Sequence, residues 1–154
     1  MTFNKIIRNF IKEEQIDIGE LCFRDTVKSH QINNIIKGIY SDTSVMSIKV
    51  ANIAFDALEA DVHITIKRYG NVLIEETIDT HHNNYLKMFL KRILVNEGIR
   101  IEDHMHKVSK SRGYDMVKKL QMDTFMQMET FERWCDILDL EVDFKVTKKE
   151  SATV

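Results

Sequence analysis

The pattern of apolar and polar positions occurs twice along this chain. Residues 3–67 and 86–147 follow one apolar pattern, at an offset that falls from 83 residues (Phe3 against Leu86) to 80 at the far end. Solenoid repeats are built from units of about 20–50 residues, so a period of this length predicts a duplicated small domain instead. We therefore expect one structural module used twice in tandem.

In each copy the apolar positions predict four helices and then a strand. The first helix has the clearest pattern, because its apolar residues recur at i, i+3, i+4, i+7 and i+8. Gly38 is a predicted helix terminator. The predicted helices of the first copy are about 3–14, 18–25, 29–37 and a fourth from the Tyr40–Ser44 loop to Leu58; those of the second are about 85–97, 101–108, 111–120 and 126–138.

A change of period from 3.6 to 2 marks the predicted strands. Residues 62–66 alternate apolar and polar side chains, which is typical of a half-buried strand. Gly70-Asn71 is a turn signal before a return strand at 72–78, and residues 141–148 alternate again. We expect a hairpin and a third strand in one shared antiparallel sheet.

The predicted fold is mainly α with a small β component. In each copy a turn of about three residues joins the second and third helices, which is the helix-turn-helix arrangement. The prediction is therefore of tandem helix-turn-helix domains, each followed by a strand or hairpin. We divide the chain into domain 1 (1–68), a return strand and linker (69–84), domain 2 (85–148) and a disordered tail (149–154).

Composition fits a cytoplasmic protein and narrows the choice of partner. The chain is 44% hydrophobic and 30% charged, as globular domains are, and no apolar run is long enough for a membrane span. Cys22 and Cys135 are expected to be small core residues within helices, in a reducing compartment. The net charge of −2 gives no general attraction to a polyanion, so nucleic-acid binding would need local clustering of basic residues.

The second and third predicted helices of each copy resemble a known family. The stretch 17–38 (DIGELCFRDTVKSHQINNIIKG) is similar to the helix-turn-helix of the lambda-repressor and Cro-like (XRE) family, with Leu21, Ile32 and Ile35 at its inward positions. The stretch 98–120 (GIRIEDHMHKVSKSRGYDMVKKL) resembles the same motif. This resemblance implies sequence-specific DNA binding, with the third helix of each copy entering the major groove.

The outward residues of that third helix are the predicted DNA contacts. An Asn or Gln side chain can make two hydrogen bonds to the edge of one adenine, and Arg or Lys can bind guanine or a phosphate. Arg112 is the best candidate for a guanine contact, Asp115 is unfavourable near phosphate, and Gly113 would allow close backbone approach. The predicted contacts are Ser29, His30, Gln31, Asn33, Asn34 and Lys37 in the first copy and Lys110, Ser111, Arg112, Met116, Lys118 and Lys119 in the second.

These observations predict a transcriptional regulator, specifically a repressor, that binds double-stranded DNA. The two recognition helices differ, so we expect a built-in pseudo-dimer that binds an asymmetric site, with homodimerisation through a sheet edge as a further expectation. The alternative is a helix-turn-helix scaffold repurposed for protein–protein interaction, such as an inhibitor of a host protein. The absence of proline and the many Ile, Lys and Asn residues suggest a phage or mobile element.

The sequence predicts no enzyme, cofactor or metal site. It contains no nucleophile–base pair, glycine-rich phosphate loop or paired-carboxylate motif. His81, His82, His104 and His106 lack a spacing that would bring three or four zinc ligands together, so we expect surface residues. Trp134 is expected in the core, and so are the methionines that would fill gaps there, namely Met122, Met126 and Met128.

Overall fold

The computed structural model describes residues 2–43 and 45–149. These residues form a mixed α/β structure with six α-helices and a three-stranded antiparallel sheet of order β2-β1-β3. The helices are α1 (Phe3–Glu13), α2 (Ser29–Ile39), α3 (Ile48–Ala57), α4 (Tyr85–Asn96), α5 (Lys110–Gln121) and α6 (Met128–Ile137). The strands are β1 (Ala60–Arg68), β2 (Asn71–Thr77) and β3 (Leu140–Lys148).

The second predicted helix of each copy is wrong. The first copy has only a 3₁₀ turn at Ile18–Glu20, and the second has two, Ile101–Asp103 and Met105–Lys107. In the first copy, the backbone N–H of Cys22 donates to the carbonyl of Ala57 at 3.2 Å and so makes no helical bond to residue 18. The pair of α-helices that the helix-turn-helix prediction requires is therefore not confirmed.

The described part of the chain divides into two compact units. Unit 1 contains the described residues of Met1–His63, Thr77–Asn83 and Phe144–Val154, and unit 2 contains Ile64–Glu76 and Asn84–Asp143. Each strand therefore contributes residues to both units. None of the described helices is long and apolar enough to span a membrane.

In unit 1, α1, α2 and α3 surround an apolar core. Thr2 begins α1, because its side chain accepts a bond from the backbone N–H of Lys5. Phe3 lies edge-on to Phe55 and to Phe144, with ring centroids 6.2 Å apart in both pairs. This core fixes the face of α2 that turns inward, through the buried Ile35 and Ile39, and it leaves the opposite face to solvent.

In unit 2, α4, α5 and α6 form the corresponding core. Trp134 is fully buried, as predicted, together with Phe131 and Leu86. Met126 and Met128 are buried as predicted, but Met122 is 45% exposed and the prediction for it is wrong. Met122 follows the last residue of α5 and so leaves the inward stripe of that helix.

A buried polar side chain on the first helix of each unit bonds backbone groups at the end of the second α-helix or in the segment that follows it. The Asn4 amide donates to the carbonyl of Gly38 at 2.7 Å and accepts from the N–H of Met46 at 3.1 Å. At the equivalent position of the repeat, the Lys87 ammonium donates to the carbonyls of Met122 and Thr124. Asn4 is 2% exposed and Lys87 3%.

Three smaller expectations also change. Gly38 lies inside α2 rather than ending it, and Cys22 is exposed outside any helix. Cys135 is a buried residue of α6, as predicted, and burial raises the pKa of its thiol to about 12. Of the predicted disordered tail, only Lys149 is described; its N–H donates to the carbonyl of Glu59 at 2.8 Å, and residues 150–154 lie outside the described residues.

Candidate nucleic-acid interface

The outward face of α2 consists of hydrogen-bonding and basic side chains. The helix contains no Asp or Glu. The side-chain oxygen of Gln31 accepts the backbone N–H of Lys28 at 2.9 Å, which satisfies a free donor at the start of the helix. The six predicted contact residues on this helix are all exposed, as the sequence predicted: Ser29, His30, Gln31, Asn33, Asn34 and Lys37.

The corresponding face of α5 is basic and begins at a capped end. The hydroxyl of Ser109 accepts the N–H of Arg112 at 3.3 Å. Asp115, the acid on this face, pairs with Lys119 at 3.1 Å, and both side chains are more than half exposed. The exposed members of the predicted set are Lys110, Ser111, Arg112, Lys118 and Lys119.

Met116 and Gly113 do not belong to that outward face. Met116 is 2% exposed, so the prediction that it contacts DNA is wrong. A Cβ atom at Gly113 would lie 3.3 Å from Cγ2 of Val108 and 3.4 Å from Sδ of Met105. Gly113 therefore allows close packing within unit 2 rather than close approach to a ligand. Together with Leu120, these two residues form the buried stripe of α5.

A groove of about 360 Å³, lined mostly by polar residues, runs beside the start of α2 in unit 1. Arg24 and Lys49 line it, and so do Gln31 and Asp56. Asp56 is held on both sides, since it accepts the hydroxyl of Thr80 at 2.8 Å and pairs with Arg24 at 3.4 Å. The groove thus places two basic side chains next to the exposed face of α2.

Sequence reasoning missed this groove. Arg24 and Lys49 are 25 positions apart and belong to no shared motif. Asn52, which is 3% exposed, donates to the carbonyl of His82 at 3.0 Å and to Oδ1 of Asn83 at 2.9 Å. These two bonds hold the predicted linker segment against α3. No local pattern in the sequence indicates them.

Other polar clusters in the described chain have structural partners. His63 of β1 lies between the hydroxyls of Thr77 and Thr147, at 2.9 and 3.0 Å. The hydroxyl of Tyr69 donates to Asp139 at 3.1 Å, which is the main cause that lowers the pKa of that carboxyl, and Lys107 adds to the effect. Within residues 2–43 and 45–149, no three His, Cys, Asp or Glu side chains come together as a metal site would require.

No protein-family model matches the chain, and neither the curated proteins nor the solved structures provide a match. The resemblance to the lambda-repressor and Cro-like family therefore stays a prediction from the residues themselves.

Proposed function

We propose that the protein binds double-stranded DNA sequence-specifically and regulates transcription, as a repressor, with α2 as its main reading helix. The observation that carries the proposal is the α2 face, where six hydrogen-bonding or basic side chains are exposed on a helix without acid. Exposed helix faces usually carry Glu and Asp among their charged residues. Asn and Gln match the donor and acceptor pair of adenine in the major groove, and their concentration here supports base reading.

The groove beside α2 supports the proposal through phosphate contacts. Arg24 and Lys49 line that groove together with Gln31 of α2. A DNA backbone beside a helix in the major groove needs such basic groups at its flank, because phosphate contacts fix the orientation of the protein on the duplex. In this proposal, Asn34 reads a base and Lys49 holds a phosphate.

The α5 face contributes a different contact. Its exposed N-terminal residues are Lys110, Ser111 and Arg112, and Arg112 suits guanine. Because the outward residues of α2 and α5 differ in type, two half-sites read by them would differ in sequence. The proposed target is therefore asymmetric.

The test is selection of bound duplexes from a random DNA pool by the full chain at low and high salt. We expect one enriched asymmetric motif, with affinity that falls as salt rises. Asn34→Ala should lower affinity for that motif by about 5- to 150-fold and relax the preference at one position. Asn96→Ala, an exposed asparagine at the end of α4, is the matched control and should change nothing.

A second variant separates base reading from phosphate contact. Lys49→Gln should weaken binding to all DNA sequences alike, and it should reduce the slope of log affinity against log salt concentration by about 1. A pool without an enriched motif, or equal binding by the Asn34 and Asn96 variants, would contradict the proposal.

A further inference from the structure

Unit 2 has a second surface feature, an open groove where α5 ends and α6 begins, with a volume of about 400 Å³. Apolar side chains form much of its lining. Phe125 is 54% exposed and Met122 45%, while Met126 beneath them is buried at 4%. Large exposed apolar residues that line a concavity are typical of an interaction site.

The same groove is basic. Lys118 and Lys119 line it, and the single lining carboxylate, Asp115, pairs with Lys119 at the surface. Such exposed pairs contribute only about 0–1 kcal/mol, so a ligand carboxylate can compete for Lys119.

A buried positive charge lies under this lining. The Lys87 ammonium, which is 3% exposed, donates to the carbonyls of Met122 and Thr124, two residues that line the groove. Lys91 repels this ammonium and Asp123 attracts it. The two lining lysines and the buried Lys87 beneath them thus outnumber the single lining carboxylate, Asp115.

We propose that this groove docks a protein segment that combines carboxylates with a large apolar side chain. The apolar part would lie on Phe125 and Met122, and the carboxylates would pair with Lys118 and Lys119. DNA fits this surface poorly, because phosphates would gain nothing from Phe125 and Met122. An uncharged apolar segment would gain nothing from Lys118 and Lys119. This docking does not depend on DNA binding by α2.

The experiment is display selection of short random peptides on the immobilised full chain, followed by affinity measurement. We expect enriched peptides that contain both acidic and large apolar residues. Phe125→Ser and Lys118→Gln should each weaken their binding by about tenfold, as loss of a buried anchor or a charged pair does. Val95→Ser and Lys5→Gln, at exposed positions on α4 and α1, are matched controls and should leave binding unchanged.

Four results would overturn the proposal. The first is a selection that enriches no peptides. The second is a set of enriched peptides that lack acidic residues, or whose affinity neither Phe125→Ser nor Lys118→Gln changes. A third is self-association in sedimentation that Phe125→Ser abolishes and Val95→Ser does not, because the occupant would then be a second copy of the chain. The fourth is a loss of affinity for the selected DNA site in Phe125→Ser as large as that in Asn34→Ala, which would assign the groove to DNA.

Discussion

At Lys87 a buried ammonium takes the position that the Asn4 amide occupies in the other unit. Both side chains bond backbone groups at the end of the second α-helix of their unit or in the segment after it. The amide serves one donor and one acceptor, whereas the ammonium can serve acceptors only. Unit 2 accordingly presents two carbonyls where unit 1 presents a carbonyl and an N–H. The charge carries a cost, because burial lowers the pKa of Lys87.

We expect Lys87→Met to lower the free energy of unfolding by about 1–3 kcal/mol, since it removes the donor from two backbone carbonyls. Chemical denaturation at neutral pH measures this change. Lys91→Met is the matched control, because Lys91 is exposed one turn along the same helix, and it should change stability by less than about 0.5 kcal/mol. Equal effects of the two substitutions would show that the Lys87 bonds contribute nothing specific.

The difference in free energy of unfolding between the protein and Lys87→Met should depend on pH in a definite direction. Because the folded-state pKa of Lys87 lies below its ordinary value of 10.5, the unfolded chain binds more protons between the two values. Stability from this group therefore rises with pH through that window. The difference in free energy of unfolding between the protein and Lys87→Met should grow as pH approaches 10.5. A difference that shrinks over this range would contradict the assigned cause.

At the scale of elements, two glycines within helices have different surroundings. A Cβ atom at Gly38 of α2 would meet Cε of Met46 at 3.5 Å, an ordinary contact. A Cβ atom at Gly113 of α5 would meet Val108 at 3.3 Å and Met105 at 3.4 Å, so these neighbours would have to move. Helix propensity favours alanine over glycine at both sites, but only Gly38 has room for it.

We expect Gly38→Ala to raise the free energy of unfolding by about 0.5–1 kcal/mol and Gly113→Ala to give no such gain. Thermal and chemical unfolding of both variants measures the difference. Gly70→Ala should be destabilising, because Gly70 has φ +82° in the hairpin turn. A gain at Gly113 equal to that at Gly38 would mean that the contacts with Val108 and Met105 relax without cost.

The sequence predicts those elements that depend on local periodicity. The stripes of α1 and α4 and the alternation of β1 and β3 are local patterns, and the structure contains these elements close to the predicted bounds. The helix predicted at residues 18–25 is wrong because a non-local bond takes its place, from the N–H of Cys22 to the carbonyl of Ala57. Of the predicted site, the exposure of the six α2 residues agrees with the prediction. The burial of Met116 and the groove of Arg24 and Lys49 depend on packing that no local pattern specifies.

At the scale of the whole molecule, the packed units differ from the repeated stretches of sequence. The division falls within β1: its residues up to His63 belong to unit 1, and its residues from Ile64 to Arg68 belong to unit 2. Ile64 and Ile66 are fully buried. A fragment that ends after β1 would therefore carry buried apolar residues of the other unit and would lack the return segment Thr77–Asn83 of its own unit.

We expect fragments 1–69 and 70–154, expressed separately, to lack cooperative unfolding, and an equimolar mixture to recover helical circular dichroism. A flexible insertion at the Gly70-Asn71 turn, which is exposed, is the control and should be tolerated. A cooperative transition in fragment 1–69 alone would show that the first repeat folds without the remainder of the chain.

The exposed face of α2 has a consequence for how such a protein can evolve. Among the described residues, Gln31 is the one member of that face with a bond to the backbone of the fold; Ser29, His30, Asn33, Asn34 and Lys37 are exposed. Replacing exposed residues of this kind usually changes stability by no more than about 0.5 kcal/mol. Selection can therefore alter what this helix recognises while the scaffold stays folded, and a duplicated copy gives a second surface on which a new preference can arise while the first is kept.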